Sequence, residues 1–351
     1  MSKVPWVPHK EIDFSHIQEL LAPSVRTNQL TNYGPAVLKL EEFFRDKLKV
    51  SPDKCIIAVC NGAAGLHALV AGINLYMNKR LKYATQAFTF PCSAQGILED
   101  SLIVDIDKDM GLDLNEVTDD IDGIIVTNLF GHVVDIQKYI TWAQQREKVL
   151  IFDNATVFST SYHGVKAINY GDGCIISLHH TKPIGYGEGG LIVADKKYEP
   201  YIRKCINFGF EIIHGRLTWQ PMGSNYKMSD ISAVFILDYV MKNYDSIVDT
   251  HKKLYKAFLD KIANIPGINP LPNYSSDIPC VNCIPIIFDK EITTDHLYQL
   301  ELHGITARKY YSPLVPKDMS IKMYKHILCL PCHKEIDITT IDRYIQIIKN
   351  M

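Results

Sequence analysis

The sequence predicts an α/β fold in which a mostly parallel sheet forms the larger part of the molecule. Short apolar runs rich in β-branched residues alternate with amphipathic helical patterns from about residue 55 to residue 210. Almost every residue in these runs is apolar, which is typical of strands covered by helices on both faces. The 351 residues and the 47% hydrophobic content also allow more than one domain.

The predicted strands follow one another through the first part of the chain. They cover residues 55–60, 82–85, 102–106, 123–127, 148–152, 174–178 and 191–194, and helical patterns such as residues 135–146 separate most of them. Helices between strands favour parallel pairing. Only a short glycine-rich link joins the last two strands, so we expect a hairpin or an antiparallel edge there.

A smaller α+β domain is expected to follow. A long helical pattern begins near residue 230, with the apolar residues Ile231, Val234, Leu237 and Val240 at helical spacing. A strand at 283–288 and helices at 294–303 and 340–349 come after it. The predicted division is an N-terminal arm with one short helix (1–22), a large domain (23–235) and a small C-terminal domain (236–351).

Charge and composition argue against several classes of protein. The net charge is −2, so no basic surface indicates binding to nucleic acid or to an anionic membrane. No apolar run approaches the roughly 20 residues of a transmembrane helix. The N-terminus lacks the uninterrupted apolar stretch of a signal peptide, and the nine scattered cysteines predict reduced thiols. These observations predict a cytoplasmic protein.

A lysine and an acid at strand ends carry the most information. Lys182 lies between the predicted strand 174–178 and a glycine-rich turn, and Asp153 ends the predicted strand 148–152. An enzyme that uses pyridoxal phosphate needs such a lysine to form a Schiff base and such an acid to pair with the pyridinium nitrogen. An isolated pair of this kind is more often two ordinary strand-end charges, so the rest of the chain must decide.

Two further motifs fit a phosphate-bearing cofactor. Asn61 follows the first strand and is a good helix N-cap, and Gly62, Ala63 and Ala64 would leave free backbone N–H groups that attract phosphate. A plain capped helix is the alternative. Phe90 follows the second strand and could lie flat on a cofactor ring, although a core phenylalanine is the alternative.

Two other patterns are rejected. Residues 185–190 match the dinucleotide-binding pattern GxGxxG, but they lead into a strand, whereas that pattern should open a helix. Cys280 with Cys283 and Cys329 with Cys332 form two CxxC pairs, the second followed by His333. The pairs lie too far apart for a zinc ribbon, so we predict core thiols and no metal site.

The series of motifs resembles the DegT/StrS family of pyridoxal-phosphate-dependent nucleotide-sugar aminotransferases. The resemblance begins with LTNYGP at 30–35 and LE at 40–41. It continues through residues 61–62, 88–91, 104–107, 128–131, 153–155, 182–190, 207–209, 223–229, 307–308, 313 and 329–331. It implies the type I (aspartate aminotransferase) fold. The LTNYGP motif and the HxTK…EGG form look most like the subgroup that makes 4-amino-4,6-dideoxyglucose (viosamine) nucleotides.

The resemblance also implies roles for individual residues. Lys182 would be the Schiff-base lysine and general base, Asp153 the partner of the ring nitrogen, and Phe90 the stacking residue. The implied cofactor-binding set is Asn61, Gly62, Ala63, Ala64, Phe90, Asp153, Thr156, Ser177, Lys182 and Asn225. Asn225 would reach the cofactor of a neighbouring subunit, which implies a homodimer with shared sites. The implied substrate-binding set is Phe88, His180, Tyr186, Arg308 and Tyr311.

Two residues depart from the family pattern. Ala63 stands where the family usually has threonine, and Thr156 stands where it usually has glutamine or histidine near the phenolic oxygen of the cofactor. The first change loses a hydroxyl to the phosphate. The second shortens a side chain that would hydrogen-bond the ring. Both make the affinity for the cofactor less certain, but neither removes the lysine or the acid.

The expected reaction is an amino transfer to a sugar. L-Glutamate would donate the amino group, pyridoxal phosphate would carry it as pyridoxamine phosphate, and a dTDP- or UDP-linked 4-keto-6-deoxyglucose would receive it, for surface polysaccharide synthesis. A 3-aminotransferase or a sugar 3-dehydratase of the same fold is the alternative, although the dehydratases have histidine in place of the lysine at position 182. A non-catalytic ligand-binding homologue is the alternative outside enzymes.

Overall fold

The computed structural model describes residues 3–351, and its larger part is a seven-stranded sheet. The strands are β1 Lys54–Val59, β2 Tyr83–Gln86, β3 Leu102–Val104, β4 Gly123–Thr127, β5 Val149–Asp153, β8 Gly173–Ser177 and β9 Gly190–Asp195. Two short strands, β6 Ser161–Tyr162 and β7 Val165–Lys166, form a separate hairpin between β5 and β8. All seven predicted strands are present, within a few residues of the predicted bounds.

The order across the sheet is β1-β9-β8-β5-β4-β2-β3. From β8 to β3 every neighbouring pair is parallel, and β9 is antiparallel to both of its neighbours. The predicted hairpin of the last two strands is therefore confirmed. It does not lie at an edge, because β1 pairs with the other side of β9 from Lys54 opposite Asp195 to Val59 opposite Gly190.

Helices cover both faces of this sheet. They are α1 Phe14–Thr27, α2 Pro35–Lys47, α3 Gly62–Tyr76, α4 Ile136–Arg146, α5 Glu199–Ile206 and the long α6 Asp230–Ile262. A small exposed hairpin, β10 Glu211–Ile213 and β11 Arg216–Thr218, lies between α5 and α6. Every residue of β1, β4, β5 and β8 is buried, as expected for strands covered on both faces.

The C-terminal part has its own sheet and its own core. Strands β12 Ile268–Pro270, β13 Cys283–Phe288 and β14 Ile327–Pro331 pair antiparallel, and α7 Thr294–Leu302, α8 Asp318–His326 and α9 Ile338–Lys349 accompany them. The predicted strand at 283–288 and the two predicted helices are present. The sequence reading did not predict β12, α8 or β14.

Helix α6 belongs to both cores. Val234 and Leu237 near its start pack in the core of the large sheet, whereas Leu254 and Phe258 near its end pack in the core of the small sheet. A continuous helix thus runs from one core to the other. The predicted boundary at 235/236 lies inside this helix, and the division into domains stays a prediction.

The N-terminal arm pairs with the small sheet region. Val4 forms a parallel bridge with Ile305, and the Val4 N–H donates to the carbonyl of Gly304 at 2.8 Å. Helix α1 follows, capped by the Asp13 side chain, which accepts from the N–H groups of Ser15 and His16. Residues 1 and 2 of the predicted arm lie outside the described residues. Among residues 3–351 no helix combines the length and the apolar character that crossing a membrane requires.

Candidate active site

A cavity of about 560 Å³ opens beside the carboxyl ends of β4, β5 and β8 and the start of α3. Parallel strands bring their carboxyl ends to one edge of a sheet, where ligands commonly bind. Of the residues predicted from the sequence, the cavity wall contains Asn61, Gly62, Ala63, Phe90, Asp153, Thr156, Ser177, Lys182 and Tyr311. The structure thus brings together both predicted catalytic residues and most of the predicted cofactor set.

Lys182 is held by a tight turn between β8 and β9. Its N–H donates to the carbonyl of His179 at 2.8 Å, and its own carbonyl accepts from the N–H of Gly185 at 3.1 Å. A Cβ atom at Gly185 would lie 2.1 Å from the His179 carbonyl oxygen, so no side chain fits there. The glycine-rich turn therefore presents Lys182 to the cavity, as predicted.

The environment of Lys182 favours its neutral amine. Burial of the ammonium lowers the pKa of Lys182 below its usual value, and the charge of Asp153 opposes this shift. A neutral amine is the form of lysine that attacks a carbonyl carbon. The direction of the shift therefore agrees with a nucleophilic role.

Asp153 is the last residue of β5 and is 2% exposed. Burial raises the pKa of its carboxyl group, while the N–H of Ala155 at 3.0 Å and the charge of Lys182 oppose this shift. A buried carboxylate costs free energy unless a positive partner or hydrogen bonds compensate it. A protonated ring nitrogen bound in this cavity would be such a partner.

The start of α3 offers donors for an anion. The Asn61 side chain caps the helix by accepting from the Ala64 N–H at 2.8 Å. The N–H groups of Gly62 and Ala63 have no acceptor among residues 3–351, as is usual at the first turn of a helix. A Cβ atom at Gly62 would lie 3.5 Å from the Ser177 hydroxyl oxygen, so the Ser177 hydroxyl lies beside these donors.

These features fit pyridoxal phosphate. Two free amides and a hydroxyl can hold the phosphate at one end of the cavity, and Asp153 can hold the ring nitrogen. Phe90 lines the wall with 55% of its surface exposed, which leaves a ring face available for stacking. The Ala64 amide is already bonded to Asn61, so its predicted role would require that bond to be exchanged.

Thr156 lines the cavity with a hydroxyl that the backbone already uses. It accepts from the N–H of Gly131 at 3.1 Å and lies 3.4 Å from the carbonyl oxygen of Asn128, to which it donates. The side chain is 4% exposed. The expectation that threonine supports the ring less well than the family's longer side chains therefore has a structural reason.

Tyr311 reaches the cavity from the C-terminal part of the chain, between α7 and α8. Its ring stacks on Phe130 at 5.6 Å between centroids and meets the edge of Phe88 at 6.1 Å. Burial and the charge of Asp153 raise the pKa of Tyr311, so its hydroxyl stays neutral. Phe88 is fully buried and does not line the cavity. It packs against the ring of Tyr311, which is another predicted substrate-binding residue.

The other predicted residues do not line this cavity. Arg308 is exposed and donates to the Tyr310 hydroxyl at 2.6 Å. Tyr186 stacks on Phe235 of α6, and His180 packs against the Tyr186 ring. Asn225 is exposed to solvent. Their predicted roles in binding substrate, or a cofactor in a second subunit, stay predictions.

Several wall residues were not predicted. They are Trp6, Cys92, Thr127, Asn128, Ala155, Ile175, His179, Thr181, Glu188, Asn282 and Tyr310. Thr127 ends the parallel strand β4 and Asn128 follows it, and polar residues at such positions are a usable signal. Trp6 comes from the N-terminal arm, and no local pattern in the sequence places it beside a residue more than 300 positions away.

The chain matches the DegT/DnrJ/EryC1/StrS aminotransferase family over residues 12–349. GDP-perosamine synthase of Escherichia coli O157:H7 is 24% identical over 256 residues, which are 65% of this chain and 68% of that enzyme. The structure of DesI with its TDP-sugar product has a TM-score of 0.84 at 22% identity, covering 100% of this chain and 94% of DesI. Helicobacter pylori PseC, an aminotransferase involved in the biosynthesis of pseudoaminic acid, has a TM-score of 0.83 at 16% identity, covering 99% of both chains. These likenesses confirm the predicted fold.

Proposed function

We propose that this chain, which belongs to the DegT/DnrJ/EryC1/StrS aminotransferase family, transfers an amino group from L-glutamate to a nucleotide-linked keto sugar. The observation that carries the proposal is that Lys182 and the buried Asp153 line one cavity, beside free amides at the start of α3. Family membership indicates dependence on pyridoxal phosphate. When bound, this cofactor withdraws electrons from the carbon that loses or gains a proton.

The residues of the chain divide the work by position. The Gly62 and Ala63 amides and the Ser177 hydroxyl would hold the phosphate of the cofactor, and Phe90 would stack on its ring. Asp153 would keep the ring nitrogen of the bound cofactor protonated, since its carboxylate is buried with few other partners. The Lys182 Nζ accepts the proton from the α-carbon of the amino donor and later gives a proton to the sugar carbon.

The substrate proposed is a dTDP- or UDP-linked 4-keto-6-deoxyglucose, and the product is the 4-amino-4,6-dideoxy (viosamine) nucleotide. The TDP-sugar product of DesI and the name of GDP-perosamine synthase support a nucleotide-linked sugar as the substrate class. We further propose a cytoplasmic homodimer in which Asn225 completes the site of the second subunit. The exposed position of Asn225 is compatible with that role.

The first test uses the yellow absorbance that pyridoxal phosphate gains when it is linked to a lysine. The purified chain reconstituted with the cofactor should show this yellow band, and L-glutamate should bleach it. Lys182→Ala should show neither change, because the only proposed nucleophile is gone. Lys39→Ala, which removes an exposed lysine on α2, should behave like the unchanged chain. A Lys182→Ala variant that still shows the band and its bleaching would contradict the proposal.

A second measurement addresses the sugar. The reconstituted chain is incubated with L-glutamate and either a nucleotide-linked 4-keto or a 3-keto sugar, and the product is identified by mass and by nuclear magnetic resonance. An amine at C4 supports the substrate proposed. Bleaching by glutamate without any aminated sugar would leave the half-reaction in place and overturn the proposed acceptor.

A further inference from the structure

A buried lysine of the N-terminal arm holds the turn that carries Lys182. Lys10 is 6% exposed, and its ammonium donates to the carbonyls of His180 at 2.7 Å, Lys182 at 2.6 Å and Gly185 at 2.5 Å. It forms no ion pair with a carboxylate among residues 3–351. Burial lowers the pKa of Lys10 to about 7, so its charged form is costly and its place needs an explanation.

The three bonds use the whole donor capacity of the ammonium group. A lysine ammonium has three N–H donors and no acceptor, and each donor has one carbonyl in the turn from residue 180 to 185. The ring of Tyr239 lies 4.9 Å from the same nitrogen and adds a cation–π contact. A displaced turn would break these bonds, and the carbonyl of Gly185, a buried residue, would lose the partner that Lys10 supplies.

The arm itself is fixed on both sides of Lys10. Upstream, the His333 ring bonds the carbonyl of Pro5 at 2.9 Å through its Nε2 atom. Downstream, the N–H of Asp13 donates to the carboxylate of Asp238 on α6 at 2.8 Å. Lys10 is therefore presented from an anchored segment. Its side chain does not line the cavity, so it does not contact a ligand bound there.

We infer that Lys10 is a positioning residue for Lys182: it fixes the turn at 180–185 in the shape that directs the Lys182 amine into the cavity. This inference rests on the proposed function, since the amine of Lys182 is the group that must be placed. Reaction rates fall steeply when a reacting group is displaced by about 1 Å. Loss of the Lys10 ammonium should therefore slow the reaction of Lys182 more than it harms the fold.

The matched control is Lys54, a second buried lysine. It is 3% exposed, and its ammonium binds the carbonyl of Gly171 and the carboxylate of Asp195, both at 2.5 Å. It lies where β1 begins and β9 ends, at the end of these strands opposite to Val59 and Gly190. Lys10→Met and Lys54→Met thus remove the same chemical group from buried sites, and only the first contacts the Lys182 turn.

The experiment measures how fast the yellow band appears when pyridoxal phosphate is added to the cofactor-free chain. We expect a rate about 10²-fold lower for Lys10→Met and a nearly unchanged rate for Lys54→Met. Amide hydrogen exchange of the cofactor-free proteins gives a second readout. Exchange at residues 178–187 should be faster in Lys10→Met only. Equal rates of band formation in the two variants would overturn the inference.

Failure of folding is also informative. If Lys10→Met does not fold, Lys10→Gln retains two N–H donors and is tested in its place. A folded Lys10→Gln chain with the unchanged rate overturns the inference, and a folded but slow one supports it. If both Lys10 variants unfold while Lys54→Met folds, Lys10 serves the fold as a whole, and the inference is also overturned. Absence of the band in the unchanged chain would instead count against the proposed function.

Discussion

Burial favours the uncharged form of two residues in the cavity wall, Lys182 and Asp153. Burial lowers the pKa of Lys182 and raises that of Asp153, and the charge of each one opposes the shift of the other. For Lys182 the Asp153 charge is the largest opposing contribution, whereas for Asp153 the Ala155 N–H comes first and the Lys182 charge second. A ligand that brings a positive nitrogen to Asp153 would replace the Lys182 ammonium as the charge that stabilises this carboxylate. Binding of the cofactor and the neutral amine of Lys182 should therefore favour each other.

Replacement of Asp153 by asparagine tests this interpretation. The amide has a similar shape but no charge, so it cannot stabilise a protonated ring nitrogen. We expect Asp153→Asn to slow the bleaching of the yellow band by L-glutamate by roughly 10²- to 10³-fold. Asp119→Asn, at an exposed position, is the control, and an Asp153→Asn chain that reacts at the unchanged rate would refute the role.

The sequence was sufficient to predict site residues that lie at the end of a strand or at the start of the helix that follows it. Asp153 and Ser177 end buried parallel strands, and Asn61 and Gly62 begin the helix after the first strand, so the cavity wall could be inferred from the order of elements. Lys10 could not be inferred. Its three acceptors lie at least 170 positions away, and a lysine in an irregular arm carries no periodic signal.

At the scale of the elements, the edge of the large sheet shows how helices protect a strand. Among residues 3–351 no strand of the sheet lies on the outer side of β1, where Val59 forms an isolated bridge with Lys227, so the outward N–H groups of β1 need other acceptors. Glu41 of α2 accepts the Ala58 N–H at 2.9 Å and also pairs with Arg203 of α5 at 3.0 Å. The N–H of Cys60, just after the strand, donates to the carbonyl of Tyr226 at 2.9 Å. The Glu41 side chain thus connects α2 and α5 to β1, the edge strand that precedes Asn61.

Glu41→Ala should therefore weaken this part of the fold. The change leaves the Ala58 N–H without its acceptor and removes a carboxylate from Arg203, which keeps Glu199 at 2.8 Å. We expect the free energy of unfolding to fall by about 2–3 kcal/mol in a urea titration. Glu42→Ala, at the next position and exposed, should change it by less than about 0.5 kcal/mol. Equal effects of the two substitutions would show that Glu41 does not secure the edge strand.

At the scale of the whole molecule, two buried histidines connect α6 to the segment after β4 and to the segment between β12 and β13. The His132 ring, 2% exposed, bonds the Tyr255 hydroxyl at 2.7 Å through Nε2. The His251 ring, 3% exposed, bonds the carbonyl of Val281 at 2.6 Å through Nδ1. Both hydrogen bonds lie where α6 passes from the core of the large sheet to the core of the small sheet. Protonation of either histidine should therefore weaken the contact between these two cores.

These histidines predict that stability falls in mild acid. Burial lowers the pKa of His132 to about 3 and that of His251 to about 4, whereas the unfolded chain has values near 6.5. Below pH 6.5 the unfolded state binds protons that the folded state does not, so each histidine costs about 1.4 kcal/mol per pH unit, or about 2 kcal/mol at pH 5. Urea titrations at pH 7 and pH 5 should show this loss.

Substitutions separate the histidines from other titrating groups. His132→Gln and His251→Gln should each reduce the difference in unfolding free energy between pH 7 and pH 5 by about 2 kcal/mol, whatever they do to stability at pH 7, because the substituted residue no longer binds a proton. His214→Gln, at an exposed position of the turn between β10 and β11, should leave the difference unchanged. If all three variants keep the difference of the unchanged chain, the acid sensitivity lies elsewhere and the junction at α6 is not its cause.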